Sequence, residues 1–356
     1  MKPFIEINGR RIGYGYPTYI IAEMSANHNQ DFDQAVRIIE AAKQSGADAV
    51  KLQTFTADTH TIQSEKEYFR VDSGTLWDGR TLFDLYREAY MPWEWQPKLK
   101  AIANKLDIDL FSTAVDSTSV DFLEEMDVPV HKISSFEITD LLLIEKMGRT
   151  GKPLLISTGM ADLAEIDEAV RSAQKAGASQ IALLKCNSAY PAPPEEMHLR
   201  TIPHLAEAFS VPVGISDHTL DIAVSVAAVS LGACIVERHL VLSRDVPSLD
   251  SPFSLEPHEF QEMVEAVRIT EKALGEVKYG VSEAESRNRI FRRSLFVVKD
   301  IKAGEPFSNK NVRSIRPAYG LHVRHLTDVI GRVATRDIER GTPVTWDLIG
   351  GGRSTV

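Results

Sequence analysis

One pattern recurs from Tyr19 to Leu240: a short apolar or β-branched run ends in polar residues and is followed by a stretch with helical spacing. The runs are YIIAE (19–23), AVKLQ (49–53), DLFST (109–113), PVHKIS (129–134), PLLIST (153–158), IALLKC (181–186), PVGIS (212–216) and ACIVERH (233–239). Between them, Ala35, Val36, Ile39 and Ala42, or Val120, Leu123 and Met126, recur with the period of an amphipathic helix. Gly-Ala or Pro breaks precede several runs, as at Gly46-Ala47, Pro153 and Gly232-Ala233. Eight strands alternating with helices over about 250 residues predict a (β/α)₈ TIM barrel of class α/β. An open doubly wound sheet is the alternative, but the first turn, EMSANHNQ, lacks its glycine fingerprint, and no Walker A motif occurs.

The rest of the chain is arranged around this unit. IEINGRRIG predicts a hairpin on an Asn8-Gly9 turn, and residues 56–80 form a long insertion after the second strand, a candidate lid or a surface loop. A helix from Glu256 to Leu274 closes the barrel domain, 1–275. GVSEAESRNR lies in a linker spanning 276–290. A second, small domain occupies 291–349, and 350–356 is a tail. Within the second domain DIKAGEPF (300–307) is repeated 37 residues later as DIERGTPV (337–344), which predicts pseudo-symmetry.

The chain has 356 residues and a formal net charge of −10, which argues against nucleic acid as a partner. From Arg292 to Ile349, however, 11 Lys and Arg stand against 6 Asp and Glu. No apolar run approaches the roughly 18–20 residues of a membrane span, and the N-terminus has no apolar leader core. A cytoplasmic location is expected, with Cys186 and Cys234 as buried thiols in a reducing compartment.

In a TIM barrel the C-terminal strand ends build the site. Here they supply Glu23, Asn27 and His28; Lys51 and Gln53; Ser112 and Thr113; Lys132 and Ser135; Ser157 and Thr158; Asn187, Ser188 and Tyr190; Ser216, Asp217 and His218; Glu237 and His239. His218 and His239 come from the last two strands, about 4.8 Å apart, and two imidazoles there can share a cation with positions left open. His28 is a third candidate, for the cation or for a substrate hydrogen bond. Lys51 and Lys132 need counter-charges if buried. An acidic side chain could supply them, but the hydroxyls of Thr113, Ser135, Ser157, Ser188 and Ser216 favour a bound anion carrying phosphate and carboxylate.

The motifs EMSANHN, DAVKLQT, FSTAVD, HKISSFE, ISTGM, LLKCNSAYPAP, GISDHT and VERHL together resemble the sialic acid synthase family. FRRSLFVVKDIKAGEPF and RSIRPAYGL are similar to the antifreeze-like (SAF, β-clip) domain those enzymes carry. Serine at 25, LWDGRTLFDLYREAYMPWEW (76–95) and KISSFEITD (132–140) look most like the pseudaminic branch of that family. One departure is ERHLVLSR, in which Leu240 stands where the family commonly has an aromatic wall residue.

The resemblance implies a transferase that condenses phosphoenolpyruvate with an N-acetylated amino sugar and releases phosphate. It carries Lys51, Thr113, Lys132, Ser135, Ser157, Ser188 and Ser216 over as phosphoenolpyruvate contacts, with Glu23, Tyr190 and Asp250 at sugar and water positions. Asn27, His28 and Gln53 are further substrate-binding candidates. Mn²⁺ or Mg²⁺ on His218 and His239 would polarise the aldehyde of the acceptor. Arg316 would reach the barrel of a neighbouring protomer, giving a domain-swapped homodimer. Two rivals remain: a Schiff-base aldolase using Lys185, and a carbohydrate-binding protein working through its C-terminal domain.

Overall fold

The computed structural model describes residues 3–72 and 74–351; the end of the expected tail, from 352, lies outside them. The chain divides into two compact units, Met1–Gly275 and Glu276–Val356.

In the first unit, β1 (Phe4–Ile7) and β2 (Arg10–Gly13) form the hairpin on Asn8-Gly9, both residues at positive φ as such a turn requires. Eight parallel strands follow: β3 (Tyr19–Glu23), β4 (Ala49–Thr54), β5 (Asp109–Ala114), β6 (His131–Ile133), β7 (Leu154–Ser157), β8 (Ile181–Cys186), β9 (Val213–Asp217) and β10 (Ile235–His239). They close in sequence order, β10 pairing with β3. The fourth and eighth runs are shorter than their patterns suggest. Pro129 has no N–H to give the ladder, and pairing with β3 begins only at Ile235.

Helices start where side chains satisfy their first N–H groups: Asp31 caps Phe32–Gln44, Asp116 caps Ser117–Glu125 and Asp162 caps Leu163–Ala176. Pro257–Leu274 closes the unit, burying Phe260, Met263, Val264 and Val267 at helical spacing. The hairpin buries Ile5, Ile7 and Ile12 in the same core. Arg10 and Arg268 both pair with Asp48, at the start of β4.

Among its described residues the insertion carries local structure of its own. Thr56 caps a turn of helix, Ala57–His60, and an Arg70–Thr81 bridge ties the excursion back before helix Leu82–Ala89.

In the second unit, the stretch read as a linker carries a turn of helix at Glu283–Ser286, capped by Ser282, and a 3₁₀ segment at Arg287–Phe291. Strands β11 (Ser294–Val297) and β12 (Val312–Ile315) pair antiparallel over a separate core that includes Leu295, Ile301, Phe307 and Val344. The sequence repeat is a structural repeat. Ile301 bridges Ile338, Asp300 accepts from Arg340 N (2.7 Å), and its equivalent Asp337 accepts from Ala303 N (2.9 Å).

Candidate active site at the barrel mouth

Register brings the inward-facing chemistry to one level. Glu23 lies opposite both Lys51 and His239, Gln53 opposite Thr113, Thr113 opposite Lys132, and Ser216 opposite Glu237. These side chains floor a cavity of about 430 Å³. Strand alternation turns their neighbours outward. Ser112 bonds with Thr54, Thr158 donates to the Leu184 carbonyl, and Asp217 pairs with Arg238 at 2.6 Å in the layer behind the barrel wall.

The floor holds two lysines and two carboxylates. Lys51 Nζ lies 2.7 Å from Glu23 Oε2 and 3.5 Å from Glu237 Oε1, and donates to Thr113 Oγ1 (2.9 Å). Lys132 Nζ donates to Ser157 Oγ (2.7 Å) and stands 3.9 Å from Glu237 Oε1. Acidic side chains therefore do supply counter-charge, the alternative the sequence left open, and they do so unequally. Burial works against the charge on Lys51, but Glu23 and Glu237 outweigh it and raise its pKa. Burial lowers the pKa of Lys132, which Glu237 offsets only in part. Lys132 is thus the cation with more to gain from an incoming anion.

The carboxylates diverge in the same way. Burial raises Glu23 to about 7 against the pull of Lys51. For Glu237 burial is overcome by Lys132, Lys51 and His218, and its pKa is lowered. Gln53 Nε2 donates to Glu23 Oε1 (2.9 Å) and Ser25 Oγ (2.8 Å), which fixes the carboxylate's orientation.

Seven buried side-chain polar atoms lack a hydrogen-bond partner among the described residues. Four belong to this cavity: Glu23 Oε2 (ion-paired but out of line), Ser188 Oγ, Glu237 Oε2 and His239 Nδ1. Buried polar groups are ordinarily satisfied, so their concentration here points to a polar ligand. Gly159 sharpens the point, since a Cβ there would collide with the hydroxyls of Ser188 and Ser135. Its N–H donates to Ser135 Oγ (3.0 Å).

The histidine rings stand 5.3 Å apart, centre to centre. His218 Nδ1 donates to the Asn187 carbonyl (2.8 Å), the outer hydrogen bond that leaves Nε2 free to ligate. His239 is held neutral, its pKa depressed by burial and by the cations around it. No cluster of three or more His, Cys, Asp or Glu able to cage a metal exists among the described residues. His239 Nδ1 has no hydrogen-bond partner among the described residues and the His218 hydrogen bond is made through Nδ1, so the two rings could hold one cation between them.

Tyr190 packs between His218 (4.5 Å) and Phe253 (5.0 Å), and Trp77 of the insertion lies against both Tyr190 and Phe253. Asp250 Oδ2 accepts from Ala26 N (3.2 Å) at the rim. Cys186 stands 3.9 Å from His218 Nδ1; burial pushes its thiol up, but His218, Ser135 and Lys132 bring it down to about 7.

Two substrate-binding expectations and one rival reading are corrected. Asn27 does not line the cavity: its amide donates to the Leu240 carbonyl and Ser254 Oγ (both 2.9 Å) and accepts from Ser248, so it clamps the loop carrying Asp250. His28 is also turned away, with Nδ1 accepting from Gln30 N and its ring edge against Trp95. Leu240 is fully buried core and walls nothing. Arg316 is exposed in the second unit. Lys185 lies outside the cavity and donates to the Cys186 carbonyl (2.8 Å), so the Schiff-base rival fails on geometry.

Sequence reading placed Glu237 at the eighth strand end without a specific role, and did not single out Glu137. Glu237 shares one strand face with Ile235 and His239, which is why it could be placed there. Glu137 reaches the cavity from the loop after β6, bonded to Ser134, and no periodicity marks it.

Residues 38–279 match the NeuB family and residues 292–350 match the SAF domain. The chain is 40% identical over 334 residues to the pseudaminic acid synthase of Helicobacter pylori, covering 94% of this chain and 98% of that one. It is 42% identical over 323 residues to the pseudaminic acid synthase of Campylobacter jejuni, covering 91% and 94%. Among solved structures, the sialic acid synthetase of Leptospira borgpetersenii is similar at a TM-score of 0.72 and 28% identity, over 81% of this chain and 95% of that one. With its closed barrel, its polar floor and these matches, the chain belongs to the NeuB family.

Proposed function

We propose that the protein is a pseudaminic acid synthase. It condenses phosphoenolpyruvate with 2,4-diacetamido-2,4,6-trideoxy-L-altrose to give pseudaminic acid and phosphate. The observation that carries this reading is the pairing of an under-compensated Lys132, bonded to the Ser157 hydroxyl, with two histidines in one cavity, in a chain 40–42% identical to named pseudaminic acid synthases.

The reaction joins C3 of phosphoenolpyruvate to the aldehyde carbon of the acceptor. Water then adds at C2, and the C–O bond to phosphate breaks. Lys51 and Lys132 hold the trianion with Thr113, Ser135, Ser157, Ser188 and Ser216, and stabilise charge on the departing phosphate. Glu23, raised to about 7, sits where both protonation states are accessible and moves the proton that the aldehyde oxygen gains or that the attacking water loses. Gln53 fixes its angle. Tyr190 and Asp250 orient the sugar and the water. A divalent ion, Mn²⁺ or Mg²⁺, held by His218 and His239 would supply Lewis acidity toward the aldehyde oxygen, and imidazole ligation leans toward Mn²⁺. Alignment of two bound substrates contributes up to about 7–11 kcal/mol.

The protein is further read as a domain-swapped homodimer in which Arg316 of the partner subunit completes each site, and as a cytoplasmic enzyme, which its two buried free thiols support. No helix among the described residues is long and apolar enough to cross a membrane.

The same chemistry on another amino sugar is the alternative, since a legionaminic acid synthase of Campylobacter jejuni is 38% identical over 323 residues. Phosphate release from phosphoenolpyruvate is measured with the diacetamido altrose, with N-acetylmannosamine and with the legionaminic precursor. The altrose is expected to give the highest kcat/KM, and chelation followed by dialysis to abolish turnover until Mn²⁺ returns. Full activity after chelation overturns the metal role, and a preference for another sugar overturns the acceptor assignment.

A further inference from the structure

Asp217 and Arg238 do not line the cavity, yet each stands next in sequence to one of its two histidines. In the parallel register Arg238 lies opposite Asp217, one residue before His239 and His218 respectively. Strand alternation therefore sets an ion pair behind the wall beside the two imidazoles in front of it. The Arg238 guanidinium makes more than that one bond. Nη1 donates to Asp217 Oδ2 (2.6 Å) and Nη2 to the Thr219 carbonyl (2.6 Å), with longer contacts from Nη1 to the Asp221 carbonyl (3.3 Å) and Thr219 Oγ1 (3.4 Å). Asp217 and Thr219 are the residues on either side of His218. One side chain thus grips both flanks of His218, while its own backbone continues into His239. Asp217 tightens the same turn, accepting from Thr219 N (2.9 Å), Thr219 Oγ1 (2.8 Å) and Ser225 Oγ (2.7 Å) of the helix Ile222–Ser230. Arg238, Asp217 and Thr219 are all buried.

A buried ion pair is a poor source of stability, because desolvation of two charges offsets most of their attraction and a packed apolar pair serves a fold as well. An arginine fork supplies something an apolar pair does not, namely planar donors set at fixed angles to two acceptors. We infer, on the reading of His218 and His239 as metal ligands, that Arg238 and Asp217 are positioning residues that hold the two imidazoles at the separation a shared divalent cation needs. The rings stand 5.3 Å apart, and His218 is otherwise fixed only by Nδ1 on the Asn187 carbonyl (2.8 Å) and by its own carbonyl, which accepts from Ala192 N (3.0 Å). Those two bonds orient the ring of His218 but do not tie it to the strand of His239. Arg238 does.

The test is Mn²⁺ binding to the full-length protein freed of metal, without substrates, read from the electron paramagnetic resonance of the unbound ion. Wild type should bind and His239→Ala should not. Asp217→Ala combined with Arg238→Met removes the fork without stranding a charge. At a urea midpoint near that of wild type, its Kd for Mn²⁺ should rise about 10- to 100-fold, the usual effect of losing an outer partner of a ligand. Its KM for phosphoenolpyruvate at saturating Mn²⁺ should be unchanged. Arg238→Lys keeps a cation for Asp217 but lacks the fork, so it should lose less affinity than the double variant, and it gives the same readout if the double variant does not fold. A wild-type Kd in either folded variant, or a Kd and a phosphoenolpyruvate KM that rise together, overturns the positioning role and leaves the histidine ligands standing. No binding by wild type, or binding that survives His239→Ala, overturns the ligand pair and the positioning role with it.

Discussion

His28 shows what burial does to a residue that sequence alone placed in the site. Its ring is 1% exposed and burial lowers its pKa to about 4, below the ordinary 6.5. The folded state therefore binds fewer protons than the unfolded chain between those values, and stability is lost as pH falls from 6.5 toward 4. The loss is about 3 kcal/mol when complete. His28→Asn, which keeps an acceptor for Gln30 N, removes this slope. Urea midpoints at pH 7 and pH 4.5 should show wild type leading at the first and the gap narrowing or reversing at the second; a constant gap would show that the ring does not titrate as buried. Asn27 and His28 were legible as residues beside a strand end but not as structural ones. The turn Ser25–His28, with Ser25 at positive φ, swings both under the Asp250 loop, and nothing local in the sequence announces that. The two histidines and two lysines were legible because each sits at or next to the end of an apolar run.

At the scale of elements, period-2 alternation decides which strand-end residues meet substrate. Ser216 and Asp217 are consecutive, yet one faces the cavity and the other accepts from Arg238 (2.6 Å), Ser225 (2.7 Å) and Thr219 behind it. Arg238 is fully buried, so Asp217→Ala strands its charge and should cost about 3–5 kcal/mol. Pairing that change with Arg238→Met should recover most of the loss, because a packed apolar pair avoids the desolvation of two charges. Urea denaturation of the single and double variants reads the difference, and a double variant no more stable than the single would overturn it. The eight runs and their order could be read from periodicity. Strand ends could not, because where a ladder stops depends on what its neighbours offer. The insertion at 56–80 could be read as long, but its use as a cavity wall depends on the Arg70–Thr81 closure and on Trp77 reaching Tyr190.

For the molecule as a whole, two units with separate cores carry the chain. In the smaller one, Asp300 and Asp337 make equivalent bonds to Arg340 N and Ala303 N, so the 37-residue repeat marks a pseudo-twofold. The proposed domain swap makes its own prediction. Arg316→Ala and His239→Ala should each be inactive, but subunits exchanged between them should regain activity. A random mixture forms hetero-dimers in which one barrel is intact and receives an intact arginine, which restores about a quarter of the sites. No recovery after exchange, with both variants folded and dimeric, means that Arg316 does not act across subunits.

The barrel, the second unit, the hairpin and the residues that could carry charge at the mouth were all legible along the chain. Those features follow from hydrophobic period, turn chemistry and capping, which act over a few residues. It takes the folded chain to show that Lys51 is shared by two carboxylates while Lys132 is left under-compensated, that Glu237 sits between them, and that Asn27 and His28 serve the fold. Those outcomes depend on distances across strands far apart in sequence and on a common low-dielectric interior, where an ångström or two between charges decides which group keeps its proton.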